Sequence, residues 1–252
     1  MISITNDRTT PSRISMQTIA DTHVMQKSPV FEGINALIVQ NIVSVMHHES
    51  WPKGYHFKNP DQIPHYFYLV LKGRLKVGRY CEKSGRELTL FLLGPGDEFD
   101  ILSLIDGDPL DQDLRVCALD KVELLSAPIA QWFDWFEEYP PLREAAARIA
   151  LLRMSQLRDL ASELAFNDTK TRLVHLLLRY FDSSSYGLRL IDDLSQEELA
   201  NMIGSVRPVV ARLLGELRRE GAVDTHGGRL HVADFEKLSE LADKHLGVSP
   251  FS

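Results

Sequence analysis

Ser195-Gln196-Glu197-Glu198-Leu199-Ala200-Asn201-Met202-Ile203-Gly204-Ser205-Val206-Arg207-Pro208-Val209-Val210-Ala211-Arg212 carries two helix starts and one helix stop within eighteen residues. Ser195 followed three residues later by Glu198 is a capping box, in which each side chain takes up a backbone amide that the helix cannot use. The helix it opens holds Leu199, Ala200, Met202 and Ile203 and stops at Gly204, where a glycine permits the sharp turn and small residues let two helices cross closely. Pro208 sits in the first turn of a second helix, spanning about 206–219, where its missing amide hydrogen costs nothing. Val209, Val210, Leu213, Leu214 and Leu217 mark that helix's buried side and leave Ser205, Arg207, Ala211, Arg212 and Glu216 outside. Beyond it, Glu220–Thr225 and Gly227–Val232 read as two short strands around a glycine turn.

Helix, glycine turn, arginine-bearing helix and hairpin in this order spell a winged helix-turn-helix, whose second helix enters the DNA major groove. Arg207 is placed to read a guanine through O6 and N7. Arg212 suits a base or a phosphate, Arg229 in the wing and Ser195 or Gln196 suit phosphates, and Ser205, Val206 and Pro208 complete the face. The competing reading is a helical module that only packs, with its arginines solvated.

Upstream, the apolar period changes twice. Val30, Phe31, Ile34, Leu37, Ile38, Ile42, Val45 and Met46 recur at helical spacing between Ser28 and Glu49. Between Trp51 and Pro128, short Val-, Leu-, Tyr- and Phe-rich runs are punctuated by turn pairs such as Lys72-Gly73 and Pro95-Gly96, which predicts a β-barrel or jelly roll of roughly eight strands. After Pro140-Pro141 a helical stripe runs through Leu142, Ile149, Leu152, Leu157, Leu160 and Leu164. It suits a parallel coiled coil between two subunits, the alternative being an amphipathic helix folded onto its own chain. A further helix, about 168–181, buries Leu173, Val174, Leu176, Leu177 and Leu178.

The expected class is therefore α+β. A flexible polar arm (1–22) precedes a β-barrel sensor (23–138), a long dimerisation helix (139–166) and a winged helix-turn-helix domain (167–252). A formal charge of −7 rules out coating nucleic acid by bulk attraction, so DNA contact has to be focused. Two cysteines, Cys81 and Cys117, are too few for a disulfide scaffold or a four-cysteine iron–sulfur cluster and fit the cytoplasm. No apolar run is long enough to span a bilayer, so no membrane partner is expected.

The chain resembles the Crp/Fnr family of bacterial regulators over nearly all of residues 28–240. The resemblance is carried by Ser28-Pro29-Val30-Phe31, by Lys72-Gly73-Arg74-Leu75-Lys76-Val77, by Leu93-Gly94-Pro95-Gly96-Asp97-Glu98-Phe99, by Leu164-Ala165-Phe166-Asn167-Asp168, and by the helix-turn-helix. It implies a cyclic-nucleotide-binding-like sensor, a homodimer on a near-palindromic DNA site, an effector in the barrel, and RNA polymerase as a further partner.

The departures bear on the effector. Where cyclic-AMP-binding members carry Gly-Glu-Leu and then an Arg-Ser pair for the phosphate and ribose, this chain has Asp100, Ile101 and Leu102, then Gln112 and Asp113. A phosphodiester needs cationic or amide donors, and Asp113 repels it, which argues against cyclic AMP. The adenine-facing Thr-Ser pair of the long helix is replaced by Leu157 and Arg158. The Fnr cysteines are absent, and the Cys and His ligation of a haem-sensing branch falls on Asp100 and Leu102. Haem through one of His47, His48, His56 or His65 stays open, whereas their spacing is not that of a cupin metal set, so no metal site is assigned. Phe99 through Ile105 forms either the wall of a pocket for an apolar ligand or a core filled by its own side chains. In the recognition helix both arginines of the family are kept and its glutamate is Pro208, which implies a retained guanine contact with relaxed reading beside it. Two other classes compete: an effector-binding module acting through protein partners, and a metal-dependent cupin-like enzyme.

Overall fold

The protein is described from a computed structural model, which covers residues 16–57, 66–99 and 114–246. Its sensor is built on two antiparallel sheets. One has the order β1 (His47–Trp51), β7 (Val122–Pro128), β2 (Tyr66–Lys72), β5 (Glu98–Phe99), and the other β4 (Arg86–Leu93), β3 (Leu75–Cys81), β6 (Leu114–Ala118). Strand β2 reads as an unbroken apolar run because both of its faces are covered. Tyr68 and Val70 point between the sheets with Trp51, Leu75, Val77, Leu93, Phe99, Val116 and Leu124, while Phe67 and Leu69 point to a second core outside. The β2–β3 turn needs Gly73, whose φ is +83° and where any Cβ would lie 2.5 Å from the Lys121 carbonyl oxygen.

The second core packs β2 and β7 against helices α1 (Met16–Met25), α2 (Ala36–Val45) and α3 (Ile129–Glu138) and the first half of α4 (Pro140–Phe166). Trp132, fully buried, sits edge-on to Phe67 at 4.8 Å and to Trp135 at 5.1 Å. The arm expected through Thr22 is corrected here. Helix α1 starts at Met16, and Asp21, Thr22 and Met25 are buried as it packs on α2, with the Thr22 hydroxyl donating to the Thr18 carbonyl at 2.6 Å. The helical spacing seen from Ser28 to Glu49 is also divided. A short 3-10 turn at Pro29–Phe31 is followed by Gly33 at φ +78°, then by α2 under an Asn35 cap, and His47 already belongs to β1.

Helix α4 spans 27 residues, about 40 Å. Leu142 and Ile149 are 0% and 3% exposed in the chain's own sensor core, and Leu160 and Leu164 face its own C-terminal domain. Leu142 and Ile149 are thus closed in the chain's own core, whereas Leu160 is half-buried and Leu164 stays 37% exposed beside the head. Leu152 is half exposed and Leu157 half-buried.

The C-terminal domain comprises α5 (Thr169–Tyr180), a two-residue hairpin β8–β9 (Phe181–Asp182, Gly187–Leu188), α6 (Gln196–Met202), α7 (Arg207–Arg219), the hairpin β10–β11 (Val223–His226, Arg229–Val232) and α8 (Phe235–Leu246). Its core joins Leu173, Leu177, Leu199, Val210, Leu214, Leu217, Leu230 and Leu238. Two sensor residues, Leu92 and Leu119, are buried in that same core, so the head is seated on the outer face of β3–β4.

Candidate nucleic-acid interface

The capping box forms as its residues dictate: the Ser195 hydroxyl accepts from the Glu198 amide at 3.2 Å, and the Glu198 carboxylate accepts from the Ser195 amide at 2.7 Å. Helix α6 ends at Met202, Gly204 follows in the turn at φ +61°, and the Ser205 amide donates to the Ala200 carbonyl at 2.8 Å, which closes the turn. Helix α7 begins at Arg207 with Pro208 in its first turn and Val206 as an extended N-cap residue whose side chain caps nothing. Val210, Leu213, Leu214 and Leu217 anchor its inner side.

The outward side carries Val206, Arg207, Pro208 and Arg212, all exposed. Among the described residues Arg207 has no hydrogen-bond or ion-pair partner, so its guanidinium is available. Arg212 is held by Glu216, one turn on, at 2.6 Å. Arg229 in the hairpin pairs with Asp192 at 3.1 Å. Ser195 is exposed and Gln196 half-buried at the start of α6. Sequence reading missed the braces behind this face. Arg218 donates twice to the Thr225 hydroxyl, at 2.8 and 3.2 Å, fixing the hairpin to α7, and Lys170 reaches Glu220 at 2.7 Å. Neither pair leaves a local signal, because the partners belong to different elements.

Within the sensor, Phe99 is 2% exposed and packs on Tyr68, itself in contact with Trp51 and Phe57. Burial, reinforced by Glu49, pushes the Tyr68 hydroxyl well above its ordinary range. The rings of Trp51, Phe57, Tyr68 and Phe99 stand 5.4–6.3 Å apart and form one cluster within the described part of the sensor. Asp100, Ile101, Leu102, Gln112 and Asp113 lie outside the described residues. Leu157 is half-buried, and Arg158 is exposed and bonded to Asp159 and Ser155 along its own helix. Arg153, one turn earlier, is 11% exposed and pairs with Glu98 at 2.8 Å. Burial raises the Glu98 carboxyl above its ordinary range, against the pull of Arg153.

His47, His48 and His56 are exposed; His48 pairs with Asp21 at 3.2 Å and His56 approaches the Cys117 sulfur at 3.8 Å, while His65 lies outside the described residues. Among the described residues no group of three His, Cys, Asp or Glu is placed to hold a metal ion, and no helix is long and apolar enough to cross a membrane.

A sensor of two packed sheets, a long helix and a winged helix-turn-helix with a free arginine at the start of its second helix define a DNA-binding regulator with a sensory domain. Residues 171–241 match the Crp-like helix-turn-helix domain and residues 48–139 the cyclic nucleotide-binding domain. The global nitrogen regulator of Nostoc sp. is 36% identical over 66% of this chain and 75% of its own length. The CRP-like cAMP-activated global transcriptional regulator of Mycobacterium tuberculosis is 24% identical over 87% of this chain and 98% of its own. The fold matches FixK2 of Bradyrhizobium japonicum with a TM-score of 0.67 at 16% identity, over 78% of this chain and 97% of that one. The chain belongs to the Crp/Fnr family of transcription regulators and is a DNA-binding member of it.

Proposed function

We propose that the protein acts as a cytoplasmic homodimer that binds a near-palindromic DNA site through α7, responds to an input other than cyclic AMP through its sensor, and regulates transcription without catalysing a reaction. The observation that carries the DNA reading is Arg207, exposed and without a partner among the described residues, at the first turn of a helix whose opposite side is anchored in the core. Two such helices in a dimer read half-sites about one helical turn apart.

The dimer is supported by a different face of α4 from the one read in the sequence. Ala147, Leu151, Met154, Arg158, Ala161 and Ala165 are all exposed and alternate in steps of four and three, the spacing of a coiled-coil seam. Leu151 and Met154 are 67% and 60% exposed, an arrangement a partner helix would relieve. Against cyclic AMP stand Leu157 and Arg158, the latter turned to its own helix, together with the sequence at Gln112 and Asp113. RNA polymerase is the further partner this reading calls for.

The experiment is a gel shift with genomic fragments at moderate salt. Selective retention of a subset of fragments supports the reading, and uniform weak binding contradicts it. For the input, a haem titration followed by absorption decides one branch: saturable uptake at one haem per chain points to a gas or redox sensor, and no specific uptake removes haem.

A further inference from the structure

The exposed side of α7 is not uniformly polar. At 3.6 residues per turn, Ala211 and Gly215 follow Arg207 one and two turns along, and Pro208 and Arg212 lie on the adjoining line. The middle of the face is therefore Pro208, Ala211 and Gly215, small and without a hydrogen-bonding side chain, and it is flanked by the two arginines. Gly215 stands inside a helix, where glycine is the weakest former after proline. Its own fold does not require it, because a Cβ there would meet nothing within 4 Å. A half-buried helical glycine with open space where a Cβ would stand fits a surface that another molecule approaches closely.

We infer that α7 recognises the 5-methyl group of thymine through Pro208 and Ala211, between two guanine contacts made by Arg207 and Arg212, with Gly215 allowing the helix to lie close in the groove. This rests on the reading of α7 as the DNA-reading helix. The two arginines are five residues apart, about 7.5 Å along the axis, or roughly two base-pair steps. The bases they bracket meet only apolar atoms, and in the major groove the one apolar feature of a base pair is the thymine methyl. Arg212 reaches its base by exchanging Glu216 for guanine. Pro208, which carries no hydrogen-bonding side chain, then gives a thymine preference at that step.

The test uses the full chain and the site obtained from it by selection from random duplexes. Selected half-sites should hold thymine between two guanine contacts. Replacing that thymine by deoxyuridine, which removes only the methyl, should weaken binding about four-fold, the worth of one buried methyl-sized group. Gly215→Ala should raise the melting temperature of the free protein yet weaken the specific complex about ten-fold, as crowding a close fit does. Equal affinity for the thymine and uracil duplexes overturns the methyl contact, and wild-type binding by Gly215→Ala overturns the close approach. If Arg207→Ala also binds the selected site at full strength, the assignment of α7 itself fails; if Arg207→Ala loses the site while uracil is tolerated, only the present inference does.

Discussion

The Arg74 guanidinium, on the turn between two sensor strands, donates to both carboxylate oxygens of Asp193 in the segment that leads into the helix-turn-helix, at 2.5 and 3.0 Å. Its other donors go to both oxygens of Asp120, at 2.7 and 2.8 Å, and to the carbonyl of Leu190 at 2.6 Å, so all five N–H directions are used. Leu190 itself is held at φ +66°, and its side chain fills the space where Gly94 has no Cβ. Asn201 on α6 donates to Glu87, which also holds Lys76. The seat of the DNA-reading head is thus a set of specific polar contacts over a shared apolar core.

Arg74→Ala should loosen that seat by about 1–3 kcal/mol, since Asp120, Asp193 and the Leu190 carbonyl lose their donors together while partly solvated. Hydrogen exchange at residues 187–194 should rise in the variant while the sensor strands stay protected. Unchanged exchange there would show that the apolar contacts of Leu92 and Leu119 suffice.

The same clamp has a defined pH response. The hydrogen bond from Arg74 holds the Asp193 carboxyl below its ordinary range. A carboxylate depressed in the folded state adds stability that is complete above its unfolded value and is lost as pH falls through the folded one. Protection over residues 187–194, taken relative to the pH-dependent intrinsic exchange rate, should therefore stay constant from roughly pH 8 to 5 and fall only below about pH 4. Opening near neutrality would point to another group.

Glu216→Gln should release Arg212 and strengthen DNA binding about two-fold or more, the scale of one exposed i,i+4 pair, with a measurable change in the salt dependence of anisotropy titrations. Weaker binding in that variant would mean that Glu216 orients Arg212 for its contact.

If the proposed seam holds, Met154→Glu or Leu151→Glu should yield folded monomers in sedimentation, because both side chains are exposed in the single chain and the charge falls on the face assigned to the partner helix. Leu142→Glu should instead unfold the sensor, since it buries a charge in a closed core. A dimer that survives Met154→Glu and Leu151→Glu would remove the proposed seam.

Arg153→Met should destabilise the sensor by about 3–5 kcal/mol in denaturant titration by stranding the buried Glu98, and adding Glu98→Gln should recover most of the loss. No recovery would show that packing of the Arg153 stem, which also lies over Phe91, carries the effect.

The helix-turn-helix was legible because its signals are local. Ser195 with Glu198, Gly204 and Pro208 each fix a backbone event within a few residues. The changes of apolar period likewise separated the sheets from α4. A leucine repeat does not say what covers it: on α4, Leu142 and Ile149 are closed in the sensor core, Leu160 lies against the head, and Leu152 and Leu164 keep 50% and 37% of their surface exposed. Helix α1 was missed for the reverse reason, as its polar residues Asp21 and Thr22 are buried only by their contacts with other parts of the chain or within the helix. Arg74 lies in the Lys72–Val77 motif, yet its partners Asp120 and Asp193 are 46 and 119 residues away, beyond the reach of any local signal.

Whether α7 reads DNA sequence through Arg207 is decided by anisotropy titration of wild type and Arg207→Ala against the selected duplex and a scrambled one. Wild type should prefer its selected duplex strongly, and Arg207→Ala should lose about 1–3 kcal/mol of that preference while keeping its weak, salt-sensitive binding to the scrambled duplex. Equal discrimination by the two proteins would contradict that role for Arg207.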